Sequence, residues 1–336
     1  MRHALPALLC AALAAATPPA PPAAPPAAPT ARPPASPARP AAPAARSPGR
    51  QIKVPVWVDG TPAENLTLKD FSARLEGAGT RVLAVQGPAD DLIILAVFDL
   101  TGDLAFVDPA KNALIAGISK LGPRAWVGLL RAQDGLRVLI DPTADRDALA
   151  QAIENVPVSG KAGLLDTVET AERIGDAILT KTSVRLAVLY LTDSDVANYR
   201  EDFTNPVINS SDSHDLSRRF PEVLVQEKIS KLEAALAGRQ APLFIVHLRY
   251  RADRLNEAYQ IGLKRLAEVT GGTAAFCRSD AEVPDAVGRT LESITSYYSL
   301  TLALPERPAR NLQVELQHEG GRALSYRTRF VLKEKR

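Results

Sequence analysis

The chain has 336 residues, 40 Lys and Arg against 38 Asp and Glu for a net charge of +2, and two cysteines. Residues 1–50 hold five arginines and no acid, so residues 51–336 carry 35 basic against 38 acidic side chains, a net −3. That balance excludes the basic surface needed to hold a nucleic acid backbone, and a single cysteine beyond residue 10, Cys277, excludes an internal disulfide framework.

In chain order, Met1-Arg2-His3 forms a short positive region, Ala4 to Ala16 an apolar stretch broken at Pro6, and Ala14-Ala15-Ala16 a small-residue cleavage site. The pattern predicts a secretory signal peptide over 1–16 and therefore an exported protein, periplasmic or extracellular. Leu9 stands before Cys10 where a lipidation signal wants a small residue, which disfavours a lipoprotein. Residues 17–50 contain 13 prolines and 12 alanines in 34 positions. Such a segment cannot bury a core and predicts an extended Ala/Pro-rich linker without fixed structure. No later run approaches the roughly 18 uninterrupted apolar residues of a membrane span, so no integral membrane segment is expected in the mature chain.

From Gln51 the pattern changes. Residues 52–58 predict a strand closed by Asp59-Gly60, and 66–75 and 80–85 predict two more around a turn at Glu76–Gly79. Between 89 and 296, strand and helix alternate. Leu92–Phe98, Ala125–Leu130, Arg185–Leu191 and Leu243–Leu248 are apolar runs of the kind covered on both faces, and Thr273–Phe276 is a weaker fifth. Gly135–Ile140 reads as an antiparallel edge hairpin, and Asp253–Val269 as a helix stopped by Gly271-Gly272. Residues 297–304, 312–317 and 323–332 predict further strands, with Gly320-Gly321 as a hairpin turn. The expected fold is α/β: a doubly wound, mostly parallel sheet over 89–296, with a small β domain built from the N-terminal (51–88) and C-terminal (297–336) segments, neither of which has enough strands alone.

Ligands in such sheets sit at the carboxyl ends of the strands. There the sequence places Asp99-Leu100-Thr101-Gly102-Asp103 and Thr192-Asp193-Ser194-Asp195, with Ser159–Gly163 before a predicted helix. Oxygen donors of this kind select Mg²⁺ or Ca²⁺ over zinc. Other candidates carry less. His3, His214, His247 and His318 stand at no metal-ligand spacing, His247 reads as a structural histidine ending a core strand, and Cys277 as a buried small hydrophobe. Asp166 reads as a helix-capping acid, and Asn65 and Asn209 fit a glycosylation triplet. The polar stretch 195–219, with Tyr199, Phe203 and nearby Phe220 as anchors, predicts either a specificity loop or lid over the binding face or a disordered segment.

The element order and these loops resemble a von Willebrand factor type A (VWA) domain, in the exported bacterial group that flanks it with β segments. Val56, Val58, Asp59-Gly60, Leu66 and Lys69-Asp70-Phe71 carry the front of the resemblance. Leu191-Thr192-Asp193, Thr270-Gly271-Gly272, Tyr297-Tyr298 and Arg327–Val331 carry the rest. The resemblance implies a metal-ion-dependent adhesion site with Asp99, Thr101, Asp103 and Asp193 as metal residues, and Ala162 in place of the expected Thr. Ala162 offers no ligand atom, and a third carboxylate at Asp103 repels an incoming acidic partner, so the site is expected to be degenerate. Lys161 is expected to neutralise part of the cluster. The function implied is a non-catalytic protein–protein interaction module with an unknown protein partner. The alternatives are a metal-independent envelope scaffold and a hydrolase using a metal-activated water, which lacks a poised acid or base.

Overall fold

The computed structural model describes residues 50–60, 66–199 and 221–332. The expected signal peptide, the linker up to Gly49, Asn65, Phe203, Asn209, His214 and Phe220 lie outside them. The first small-sheet strands are β1 (Gln51–Val58), β2 (Phe71–Leu75), β3 (Ala78–Thr80) and β4 (Val82–Gln86). Then come β5 (Leu92–Asp99), α1 (Leu104–Ser119), β6 (Ala125–Arg131), β7 (Arg137–Thr143), α2 (Arg146–Glu154), α3 (Leu164–Lys181) and β8 (Arg185–Thr192). They are followed by α4 (Pro221–Leu236), β9 (Leu243–His247), α5 (Arg254–Thr270), β10 (Ala274–Phe276) and α6 (Val283–Ser296). The chain closes with β11 (Tyr298–Ala303), β12 (Asn311–His318), β13 (Leu324–Tyr326) and β14 (Arg329–Val331).

The central sheet has the order β10-β9-β8-β5-β6-β7, parallel except for β7 at one edge. Its strands read as continuous apolar runs because both faces are covered. Ile94, Ala96 and Phe98 of β5, with Leu189 of β8 and Phe244 of β9, pack under α1, α2 and α6. Leu95, Val97, Val188 and Ile245 point the other way, under α3, α4 and α5. Burial of each such side chain contributes about 1.5–3 kcal/mol. Edge strand β7 tolerates Pro142, which gives no ladder hydrogen bond. Asp253 caps α5 by accepting from the Asn256 N–H at 3.1 Å, and Gly271 ends it with φ of 92°.

The terminal segments interleave. One sheet runs β13-β1-β11-β4, in which N- and C-terminal strands alternate, and the other β14-β12-β2-β3, in which a C-terminal pair joins an N-terminal pair at β12–β2; the two share a core of Val54, Val56, Phe71, Leu300 and Val314. Two expectations are corrected here. Residues 66–75 are not one strand: Leu68–Asp70 forms a 3-10 turn closed by a Thr67–Asp70 box, and only Phe71–Leu75 pairs. Residues 323–332 are not one strand either. Leu324–Tyr326 pairs with β1 and Arg329–Val331 with β12, so Gly320-Gly321 does not close a β12–β13 ladder. The switch falls at Arg327, whose buried guanidinium donates to the carbonyls of Ala237 and Arg239 and lies 4.1 Å from the Phe330 ring centre. A continuous strand cannot serve two sheets and also send Arg327 inward. The β2–β3 hairpin turns on Glu76-Gly77, both with positive φ, matching the twist of the flanking strands.

Arg185 fixes the point where the chain passes between the small sheets and the central one. Its guanidinium is buried and donates to the carbonyls of Pro88 and Asp90, before β5, and of Thr295 and Tyr297, before β11. The forked, planar donor set of arginine suits four converging carbonyls, which lysine cannot match.

Candidate functional site

The chain runs from β5 out to β6 and β7, then returns to place β8 on the other side of β5. The crevice at the carboxyl ends of β5 and β8 is therefore the topological switch point, where this architecture binds ligands. Asp99 ends β5, Asp193 follows β8, and the residues after β9 reach the same face.

Asp193 holds the loop 101–103 as an anion in a nest of donors. Its Oδ1 accepts from the Thr101 N–H at 2.5 Å and the Thr101 hydroxyl at 3.0 Å. Its Oδ2 accepts from the N–H groups of Gly102 at 3.1 Å and Asp103 at 3.0 Å. From below, the buried Gln133 amide donates to the Leu100 carbonyl at 2.5 Å. Consecutive N–H groups aimed at one carboxylate need no cation to hold it.

Asp99 is fully buried. Its Oδ1 accepts from the Gly163 N–H at 2.7 Å and its Oδ2 from the Thr192 hydroxyl at 3.0 Å. Thr192 lies 2.6 Å from the Ser194 hydroxyl, which lies 3.1 Å from that of Tyr259. Burial pushes the Asp99 carboxyl up to about 6, with the Gly163, Ser194 and Thr192 donors pulling against it. Gly163 has no substitute here: a Cβ on it would meet the Ala132 carbonyl oxygen at 1.9 Å. The adjacent Ala162 is buried in the core beneath α3, with only a methyl group.

The remaining acids face arginines. Asp103 Oδ2 is 2.7 Å from Arg249 Nη1, and Asp195 Oδ2 is 2.8 Å from Arg251 Nε. Thr101, Gly102, Asp103, Asp193, Asp195, Asn198, Arg249 and Arg251 line an open cleft of about 450 Å³. The two arginines are the residues that reasoning from the sequence missed. Lys161 donates its backbone N–H to Asp134 at 3.1 Å, and the cation paired with Asp103 is Arg249.

The structure thus gathers Thr101 and Asp103 around Asp193, with Asp99 beneath, and leaves Ala162 in the core. This set does not fit a hard divalent cation as it stands. Both oxygens of Asp193 and of Asp99 already accept protein donors, Asp103 and Asp195 are ion-paired, and the alanine supplies nothing. Among the described residues no three His, Cys, Asp or Glu side chains gather as a metal site.

The other sequence candidates lie elsewhere. His247 is buried under the cleft; its Nε2 is 2.9 Å from the Ser194 carbonyl, its Nδ1 has no partner, and burial lowers it to about 4. Cys277 is buried, which pushes its thiol up to about 11. Asp166 does not cap α3, whose N-cap is Gly163; it pairs with Lys228 at 2.6 Å. Of the stretch 195–219, the described part is Asp195–Tyr199, which includes a 3-10 turn over Val196–Tyr199 with Tyr199 buried. Residues 200–219 lie outside the described residues.

No protein-family model matches the chain, and no curated protein matches it. Solved structures to which it is similar include von Willebrand factor type A domains. One is a von Willebrand factor type A protein from Catenulispora acidiphila, at 14% identity and a TM-score of 0.41, covering 86% of this chain and 75% of that one. Another is the conserved hypothetical protein BatB from Bacteroides thetaiotaomicron, at 16% identity and 0.38, covering 61% and 98%. A third is the proximal thread matrix protein from the mussel byssus with a zinc-occupied metal-ion-dependent adhesion motif, at 14% and 0.41, covering 65% and 48%. Among the described residues of the present chain, no helix is long and apolar enough to cross a membrane.

Proposed function

We propose that this chain is an exported, non-catalytic protein-interaction module of the VWA kind, with a degenerate metal-ion-dependent adhesion site that works without a bound cation. The observation that carries the reading is the four-bond enclosure of Asp193 by Thr101, Gly102 and Asp103. A carboxylate closed in this way fixes the binding loop by itself. The reading of the face as non-catalytic is supported by His247, which is buried, held neutral and bonded to a backbone carbonyl rather than poised as an acid or base. Export is supported by the composition of residues 1–16 and is read out by N-terminal sequencing of the mature protein.

The test is capture of a partner from an envelope extract by the immobilised full chain. The same partner is expected in EDTA and in Mg²⁺, and its loss is expected on Asp195→Lys at the cleft. Capture only in Mg²⁺, or turnover of phosphoester or peptide substrates, overturns the proposal.

A further inference from the structure

The accessible charge of the cleft is cationic, although it is built around aspartates. The side chains of Arg249 and Arg251 are 42% and 38% exposed, whereas those of Asp103 and Asp195 are 27% and 11% exposed. Asp193 is buried beneath its ring of N–H donors, and Asp99 is buried entirely. Each arginine uses one nitrogen on its aspartate, Nη1 of Arg249 and Nε of Arg251, which leaves the other guanidinium N–H groups for a ligand.

The segment that presents them is held rigidly. The Leu248 N–H bonds the Thr192 carbonyl at 2.8 Å and the Tyr250 N–H bonds the Cys277 carbonyl at 2.7 Å. The buried Gln260 of α5 grips Arg251 on both sides, accepting from its N–H at 3.0 Å and donating to its carbonyl at 2.8 Å. Arg249 and Arg251 both line the cleft. Preorganised backbone and half-exposed guanidiniums, each steered by an aspartate, form a built receptor for planar oxyanions.

We infer that Arg249 and Arg251 receive carboxylates of an acidic segment of a protein partner, in place of a cation. This rests on the reading of the chain as an interaction module and names the chemistry of its partner. The two Asp–Arg pairs are each neutral and the remaining lining carboxylate, Asp193, is buried beneath its N–H donors, so what an incoming carboxylate meets at the surface is unused guanidinium donors. A guanidinium pair also makes recognition sensitive to salt but indifferent to chelators.

The experiment uses the full chain labelled with ¹⁵N-arginine in EDTA, titrated with a hexaglutamate peptide. The Nε–H resonances of Arg249 and Arg251, assigned from the single Arg→Lys variants, are expected to move together and saturate. Binding is expected to be unchanged by Mg²⁺ and to weaken roughly tenfold or more on either Arg249→Ala or Arg251→Ala, the loss of a charge-assisted bond. Both positions are substantially exposed, so these variants keep the fold, and Arg251→Lys, retaining charge without the fork, is expected to weaken binding as well. Equal saturation by hexalysine, or by inorganic phosphate at the same concentration, overturns the inference, as does an absence of any shift. Partner capture that persists in EDTA alongside such a failure leaves the interaction module standing and removes only the arginine-carboxylate chemistry.

Discussion

Asp193→Asn separates a carboxylate that organises a loop from one that organises a cation. In the wild type both oxygens accept, two bonds each, from Thr101, Gly102 and Asp103. An asparagine retains one accepting oxygen, and its amide nitrogen faces the two remaining N–H groups, donor against donor. Two charge-assisted bonds are lost, worth roughly 1.5–3 kcal/mol each when intact. Water reaches the half-buried loop and recovers part of that, so the expected destabilisation is about 3 kcal/mol. In a domain of this size it lowers the unfolding midpoint by roughly 6–12 °C. Thermal unfolding of the full chain by circular dichroism in EDTA, then in Mg²⁺, reads this out. The same fall is expected in both buffers. An unchanged midpoint in EDTA, or a wild-type gain in Mg²⁺ that the variant lacks, refutes the reasoning.

Three other perturbations follow from the same geometry. Asp99 holds its proton to about 6 in the folded chain and loses it near 3.8 when unfolded, so it binds protons on folding and its contribution falls as pH rises between those values. The stability of Asp99→Asn relative to wild type is therefore expected to climb by about 2 kcal/mol from about pH 4 to about pH 7 in urea titrations, and a flat difference contradicts it. Arg185→Ala strands four carbonyls at the junction between the sheets and is expected to destabilise by roughly 3–5 kcal/mol, measured as a lower urea midpoint. Gly163→Ala forces a methyl group against the Ala132 carbonyl and displaces the donor to Asp99. A folded variant with unchanged amide chemical shifts at residues 99 and 163 contradicts that placement.

The central sheet was legible because burial on both faces leaves a plain signal: Leu92–Phe98 and Arg185–Leu191 each contain no interior polar residue. Asp253 and Gly271 marked the ends of α5 by their own chemistry. The small sheets were harder to read. Nothing local in Ser325–Arg329 signals that the strand changes sheets, because the cause is distant, in the carbonyls of Ala237 and Arg239 that draw Arg327 inward. At the site, Asp99, Thr101, Asp103 and Asp193 were legible as residues that follow buried strands. Their bonding was not, since Asp193 could hold either a metal or its own loop with the same sequence around it. Arg249 and Arg251 were within reach of the rule that found the aspartates. They follow the apolar run Leu243–Leu248, but a search for oxygen donors passes over guanidiniums.

The most direct test of the account is Mn²⁺ binding to the full chain by electron paramagnetic resonance, beside Asp193→Ala. Because protein donors already occupy Asp99, Asp103, Asp193 and Asp195, the account predicts no site tighter than about the millimolar range of weak contacts and indistinguishable titrations for the two proteins. Stoichiometric, tight Mn²⁺ binding that disappears in Asp193→Ala contradicts it, and makes the cleft a cation centre.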